Sequence, residues 1–114
     1  MKKKIADRWV RALRSGKYKQ TAGCLEDLEG SNCCLGVLCN LAVASKVCKK
    51  ERSYDVFIFN DSGGTLPDSV REWAGMKSCD GKRKNRKSLI NYNDDLGYSF
   101  DKIADIIEKN YKDF

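Results

Sequence analysis

The sequence predicts a small helix-rich α+β domain, and three observations carry that prediction. Residues 3–15 and 100–112 repeat apolar side chains on a helical period. The run from Cys33 to Ser45 is apolar on nearly every face. The stretch Tyr54-Asp55-Val56-Phe57-Ile58-Phe59 is instead aromatic and β-branched, which favours a strand. Together they describe a short β-sheet or hairpin packed on a buried cysteine-containing helix. A chain of 114 residues suits one compact domain spanning residues 1–114. The single proline and the lack of a Ser/Gly/Pro tract argue against an internal linker.

In the first predicted helix Ile5, Trp9 and Leu13 share a face, with Ala6 and Ala12 beside them. Arg8, Arg11 and Arg14 fall on other faces, and Gly16 is a suitable stop. Lys17 to Glu29 reads as irregular or weakly extended, with a short hairpin around Glu26–Glu29 only faintly signalled. Ser31 or Asn32 is expected to cap the next helix, about Cys33 to Ser45. A helix apolar all round belongs at the centre of a small protein. Gly36 inside it costs about 1 kcal/mol against alanine. Close approach of another element would offset that cost.

Tyr54 to Phe59 is the clearest strand, and Asn60-Asp61-Ser62-Gly63-Gly64 is turn chemistry. A two-turn helix follows, with Pro67 at its first position and Gly75 just past its end. Val70 and Trp73 are its core residues. Met76 to Lys87 is a polar loop carrying Lys77, Lys82, Arg83, Lys84, Arg86 and Lys87 against one acid, Asp80. Ser88 to Asn93 reads as a short helix and Asp94 to Gly97 as a turn. Ser99 caps the last helix, in which Phe100, Ile103, Ala104, Ile107 and Tyr111 keep helical spacing.

The charge balance is +6, with 22 basic and 16 acidic residues, and favours anionic partners. It argues against a mimic of DNA, which needs dense negative charge. No apolar signal segment follows Lys2-Lys3-Lys4, so the six cysteines are expected to stay reduced in a cytoplasm. No run approaches the roughly 18 apolar residues of a membrane span, and no membrane partner is expected.

The chain has no histidine, so neither a Cys–His nucleophile nor a mixed Cys/His zinc site can form. Cys24, Cys33, Cys34, Cys39, Cys48 and Cys79 lack any Cys-x-x-Cys pair. Adjacent Cys33 and Cys34 would diverge by about 100° on a helix. Buried thiols filling space as small hydrophobes are the expectation, with no metal and no cofactor. Cys33 near a helix start is the one thiol placed for activation. Asp94 and Asp95 beside Asn93 read as turn residues rather than an acid pair facing across a cleft.

The best functional lead is the loop of Lys77, Lys82, Arg83, Lys84, Arg86 and Lys87, whose charges suit phosphate contacts. Lys2, Lys3, Lys4, Arg8, Arg11 and Arg14 would extend the patch if the first helix lay nearby. Tyr18 and Tyr98 are candidate stacking surfaces. Leu96 to Ile107 reads like the turn and capped helix of a helix-turn-helix protein, but no second helix follows.

Several blocks, in order, resemble a known family. They are Trp9…Ala12-Leu13-Arg14-Ser15-Gly16…Tyr18…Gln20, Cys33-Cys34-Leu35-Gly36-Val37-Leu38-Cys39, Leu66-Pro67…Val70…Trp73-Ala74-Gly75, and Asn93-Asp94…Gly97…Ser99-Phe100…Ile103-Ala104-Asp105-Ile106-Ile107-Glu108. The chain is similar to small proteins encoded by tailed bacteriophages and by prophage-like regions of bacterial genomes, a family with no agreed activity. The resemblance covers nearly the whole chain. Members commonly carry aspartate after the third cysteine, where this chain has Asn40. The resemblance implies an accessory protein in the cytoplasm of an infected host. It brings no catalytic residues with it. The expected function is therefore non-catalytic: binding and sequestering or blocking a host component in host takeover or counter-defence. Nucleic acid, a nucleotide signal and an acidic protein face are the target classes. A small DNA-binding regulator and a small metal-dependent enzyme are the alternatives.

Overall fold

The computed structural model describes residues 1–114. It contains four α-helices and a three-stranded antiparallel sheet. Helix α1 (Lys3–Arg14) turns Ile5, Ala6, Trp9, Val10 and Leu13 inward. Strand β1 (Glu26–Asp27) precedes helix α2 (Cys34–Ala44), which strands β2 (Lys50–Arg52) and β3 (Val56–Phe59) follow. Helix α3 (Asp68–Ala74), a π-helical turn (Asn91–Asp95), helix α4 (Phe100–Asn110) and a 3-10 turn (Tyr111–Asp113) complete the chain. The sheet order is β1-β3-β2, so the most apolar strand lies between two charged ones.

Helix α2 is the central strut. Every residue from Cys34 to Cys39 is buried, as its all-round apolar sequence requires. Helix α1 packs on α4 and α2, and α3 packs on α2. The indole of Trp9, itself fully buried, donates from Nε1 to the Cys34 carbonyl at 2.9 Å. This gives a buried polar handle its partner. Gly36 has the close neighbour its position implied: a Cβ there would stand 1.9 Å from the Leu25 carbonyl oxygen. The segment before β1 therefore lies directly on the backbone of α2.

Several elements differ from the sequence expectation. Neither Ser31 nor Asn32 caps α2; Cys33 occupies the cap position without a side-chain bond. The Cys34 N–H instead donates to Oδ1 of Asn93, 59 residues away and buried. Asn93 also accepts from Gln20 Nε2 at 2.8 Å and donates to the Thr21 carbonyl at 2.9 Å. The clear strand begins at Val56 rather than Tyr54, which is fully exposed in the β2–β3 turn. Strand β2, Lys50-Glu51-Arg52, was not anticipated, because it is charged throughout and has no apolar alternation. Pro67 sits one position earlier than expected, at the N-cap of α3.

The segment expected as a short helix ending at Asn93 becomes a π-helical turn, closed by the Leu96 N–H on the Asn91 carbonyl five residues back. Asp94 and Asp95 lie in that turn. Asp94 accepts from the Gly23 N–H at 3.1 Å and Asp95 from Asn91 Nδ2 at 2.8 Å, so both brace backbone or side chains locally. Ser99 does cap α4, its side chain accepting from the Lys102 N–H.

Candidate anion-binding cleft

The basic loop is held open by its neck. Gly81 takes φ +73°, a conformation glycine adopts without strain, and lies against the Leu89 side chain. The Leu89 N–H donates to the Gly81 carbonyl at 3.1 Å, and the Lys82 N–H to Ser78 Oγ at 2.8 Å. Beyond the neck, the Arg86 N–H bonds the Arg83 carbonyl at 3.2 Å, with Asn85 left-handed at φ +58°. Lys82 Nζ also donates to the Arg86 carbonyl. The loop is thus a closed turn of cations with local hydrogen bonds.

This turn faces the end of α4 across a cleft of about 450 Å³. Lys77, Lys82, Arg83, Lys84 and Arg86 line it, joined by Asn110 and Asp113, and no lining side chain is hydrophobic. Five of the six cations expected to act together are brought together; Lys87 is exposed outside the cleft. None of the five makes an ion pair, whereas Lys3, Arg14, Lys50 and Arg71 each have an acidic partner. Arg83 is the anchored member. Its guanidinium lies 5.2 Å from the centre of the buried Phe114 ring, and Nη2 is 3.4 Å from the Tyr92 hydroxyl. Its Nε is buried with no hydrogen-bond partner. Such an orphaned donor is uncommon and marks a group with unmet demand for an acceptor.

None of the cations expected to extend the patch, Lys2, Lys3, Lys4, Arg8, Arg11 and Arg14, lines the cleft. Arg14 pairs with Asp105 at 2.6 Å and Glu108 at 3.0 Å, and Lys3 pairs with Asp7 at 2.9 Å. Arg8 bonds Ser45 Oγ and lies over Trp73. Nor is Tyr98 a free platform. It stacks on Tyr92 with ring centres 5.1 Å apart, and Lys102 Nζ lies 3.7 Å from its centre. Tyr18 is half-buried and lines a different cleft, with Asn40 and Lys50. Neither tyrosine lines the basic cleft.

The cleft beside Tyr18 holds a polar cluster that sequence reasoning missed. Glu26 is buried and receives Lys50 Nζ at 2.8 Å. Asn40 Nδ2 donates to Glu26 at 2.7 Å and to Asn32 at 2.8 Å, while its Oδ1 accepts from Lys50 at 3.1 Å. Lys50 also lies 4.7 Å from the centre of the Phe57 ring. The ammonium donates to Glu26 and Asn40, and no buried side-chain polar atom of the cluster lacks a partner. The cluster ties β1 and β2 to α2. The one available signal was a polar Asn40 in an otherwise apolar helix.

The cysteines lie mostly in the core: Cys33, Cys34, Cys39 and Cys48 are buried, Cys24 is half-buried and Cys79 is exposed. Burial pushes the Cys33 thiol up to about 11, although the N–H groups of Gly36 and Leu35 pull the other way. Desolvation thus outweighs the activating effect of the helix start. Cys34 and Cys39 are raised well above the ordinary thiol value by the same cause. No three Cys, Asp or Glu side chains gather in a group that could hold a metal ion. No helix is long and apolar enough to cross a membrane.

Fold and cleft together define a small α+β domain with one unpaired cationic cleft and a sealed thiol-bearing core. The chain belongs to a family described as a domain of unknown function, DUF8296, whose sequence profile matches residues 1–111. No curated protein and no solved structure matches it.

Proposed function

We propose that this protein acts by binding an anionic ligand in the cleft between the Lys82–Arg86 turn and the end of α4. The carrying observation is the convergence of five cations, none of them in an ion pair, against a single acid in the lining, Asp113. Holding like charges together costs free energy in the unliganded molecule, and an anion would offset it. The sequence resemblance supports the biological setting: an accessory protein of a phage or prophage that sequesters or blocks a host component in the bacterial cytoplasm. No residue in the cleft is required to do covalent chemistry in this reading.

The test is charge reversal. Lys82→Glu, Lys84→Glu and Arg86→Glu, all at exposed positions, are combined in one variant. Wild-type and variant protein are recovered from infected cells and their bound anions identified by native mass spectrometry. Retention by the wild type and loss by the variant is the expected result. Equal retention by both, or no anion on either, contradicts the reading.

A further inference from the structure

We infer that the occupant of the cleft is a chain of linked phosphates on a small molecule, with Arg83 as its anchoring donor. This rests on the anion-binding reading above and narrows it to a ligand class.

The cleft's volume of about 450 Å³ falls within the range of small-molecule sites, yet none of its lining residues is hydrophobic. Such a lining has no hydrophobic side chain to hold the apolar body of a ligand, only the stems of its lysines and arginines, and suits a ligand charged along its length. An acidic protein face would need an aromatic or aliphatic anchor to bury, and the cleft presents no pocket for one. A single nucleic-acid strand would need aromatic platforms for its bases. Here Tyr98 is covered by Tyr92 and Lys102, and Tyr18 lies in another cleft. A duplex would need cations spread along its backbone. Of the six cations at residues 2–14, Lys3 and Arg14 are paired with acids, Arg8 lies over Trp73, and none of the six lines the cleft.

Arg83 differs from its neighbours in the cleft. Lys82, Lys84 and Arg86 are exposed and can adjust to a ligand. Arg83 is partly buried, seated on Phe114 and directed by the Tyr92 hydroxyl; its Nε is enclosed, so Nη1 and Nη2 are the donors a phosphate would meet. A planar guanidinium fixed in this way can meet two oxygens of one phosphate, as an ammonium cannot. Lysines around it would then neutralise the linked phosphates. Asp113 at the far side of the cleft disfavours an anion that fills it completely.

The test is isothermal titration calorimetry at about physiological ionic strength. The probes are inorganic tripolyphosphate, orthophosphate, a short DNA duplex and a poly-glutamate peptide. Saturable one-to-one binding of tripolyphosphate, at least about tenfold tighter than orthophosphate, is expected. Arg83→Lys should weaken it about tenfold or more, while Arg52→Ala on the exposed edge strand leaves it unchanged. Should Arg83→Lys fail to fold, Lys84→Ala with Arg86→Ala is the replacement, and undiminished affinity in that pair overturns the inference. Undiminished affinity in a folded Arg83→Lys overturns the anchor. Tighter binding of the duplex or the peptide than of tripolyphosphate overturns the phosphate-chain inference and leaves the anion reading standing. Saturable binding of none of the four overturns both.

Discussion

Replacing Gly36 with alanine tests whether α2 is the strut on which the rest is laid. In an open helix this change would gain about 1 kcal/mol of propensity. Here the new Cβ would stand 1.9 Å from the Leu25 carbonyl oxygen and 2.7 Å from its carbon, whereas real contacts stay beyond 3.0 Å. The two nearest atoms are Leu25 backbone, so no flexible side chain can yield to relieve the clash. The Leu25 segment must retreat by roughly 1 Å, which strains its hydrogen bond from the Cys33 N–H. Overpacking of a tight core costs about 1–3 kcal/mol and a lost hydrogen bond about 1 more. With the clash against backbone the upper end applies, and the net loss after the propensity gain is about 3 kcal/mol. For a domain of this size that lowers Tm by about 10 °C. Gly64→Ala is the control: it has no atom within 4 Å and no positive φ. It should be neutral or slightly stabilising. Thermal melts by circular dichroism read both. A Gly36→Ala melt within about 2 °C of the control would show that Leu25 does not rest on α2.

Three further outcomes follow from the same structure. Asn93→Ala removes the remote cap of α2, leaves the buried Cys34 N–H without its acceptor and takes a partner from half-buried Gln20 and Thr21, so urea denaturation should show a loss of about 2–3 kcal/mol. Lys50→Met leaves the buried Glu26 carboxylate without its cation. Because Lys50 is partly exposed, the loss should be about 2–3 kcal/mol, below that of a fully buried pair, and adding Glu26→Gln should recover part of it. Stability should also fall in alkali. The folded Cys33 thiol titrates near 11, above its ordinary 9.0, so the unfolded chain releases its proton first. The contribution is complete below pH 9 and is lost as pH rises through 11, at about 1.4 kcal/mol per pH unit, with Cys34 and Cys39 acting in the same direction. Urea midpoints measured from pH 8 to 11 check this, and a flat profile would mean the thiols are not desolvated.

The legible parts of the fold were those written in local periodicity. Ile5, Trp9 and Leu13 declared α1, the all-apolar run declared a central α2, and Ser99 with Phe100 and Ile103 declared the start of α4. The illegible parts depend on partners distant in sequence. Strands β1 and β2 are charged edges defined only by pairing with Phe57 and its neighbours in β3, for which no local pattern exists. The cap of α2 comes from Asn93 across the fold, so the local candidates Ser31 and Asn32 misled. The extra residue in the π-helical turn breaks the spacing that marks an ordinary helix. For the cleft, composition alone showed the cations of residues 77–87. It did not show that Arg83 would be seated on Phe114, or that Tyr98 would be consumed by Tyr92 and Lys102. Charge density can be read along a chain; which charges stay unpaired depends on tertiary neighbours.

The most direct test of the cleft is an amide NMR titration of the ¹⁵N-labelled protein with inorganic tripolyphosphate. Saturating shifts should appear at Lys77, across residues 81–86 and at the end of α4 around Asn110 and Asp113, with Tyr18, Asn40 and Lys50 unmoved. Shifts centred on Tyr18 and Lys50, or scattered over α1 without saturation, would contradict the assignment of this cleft as the site where the protein meets its ligand.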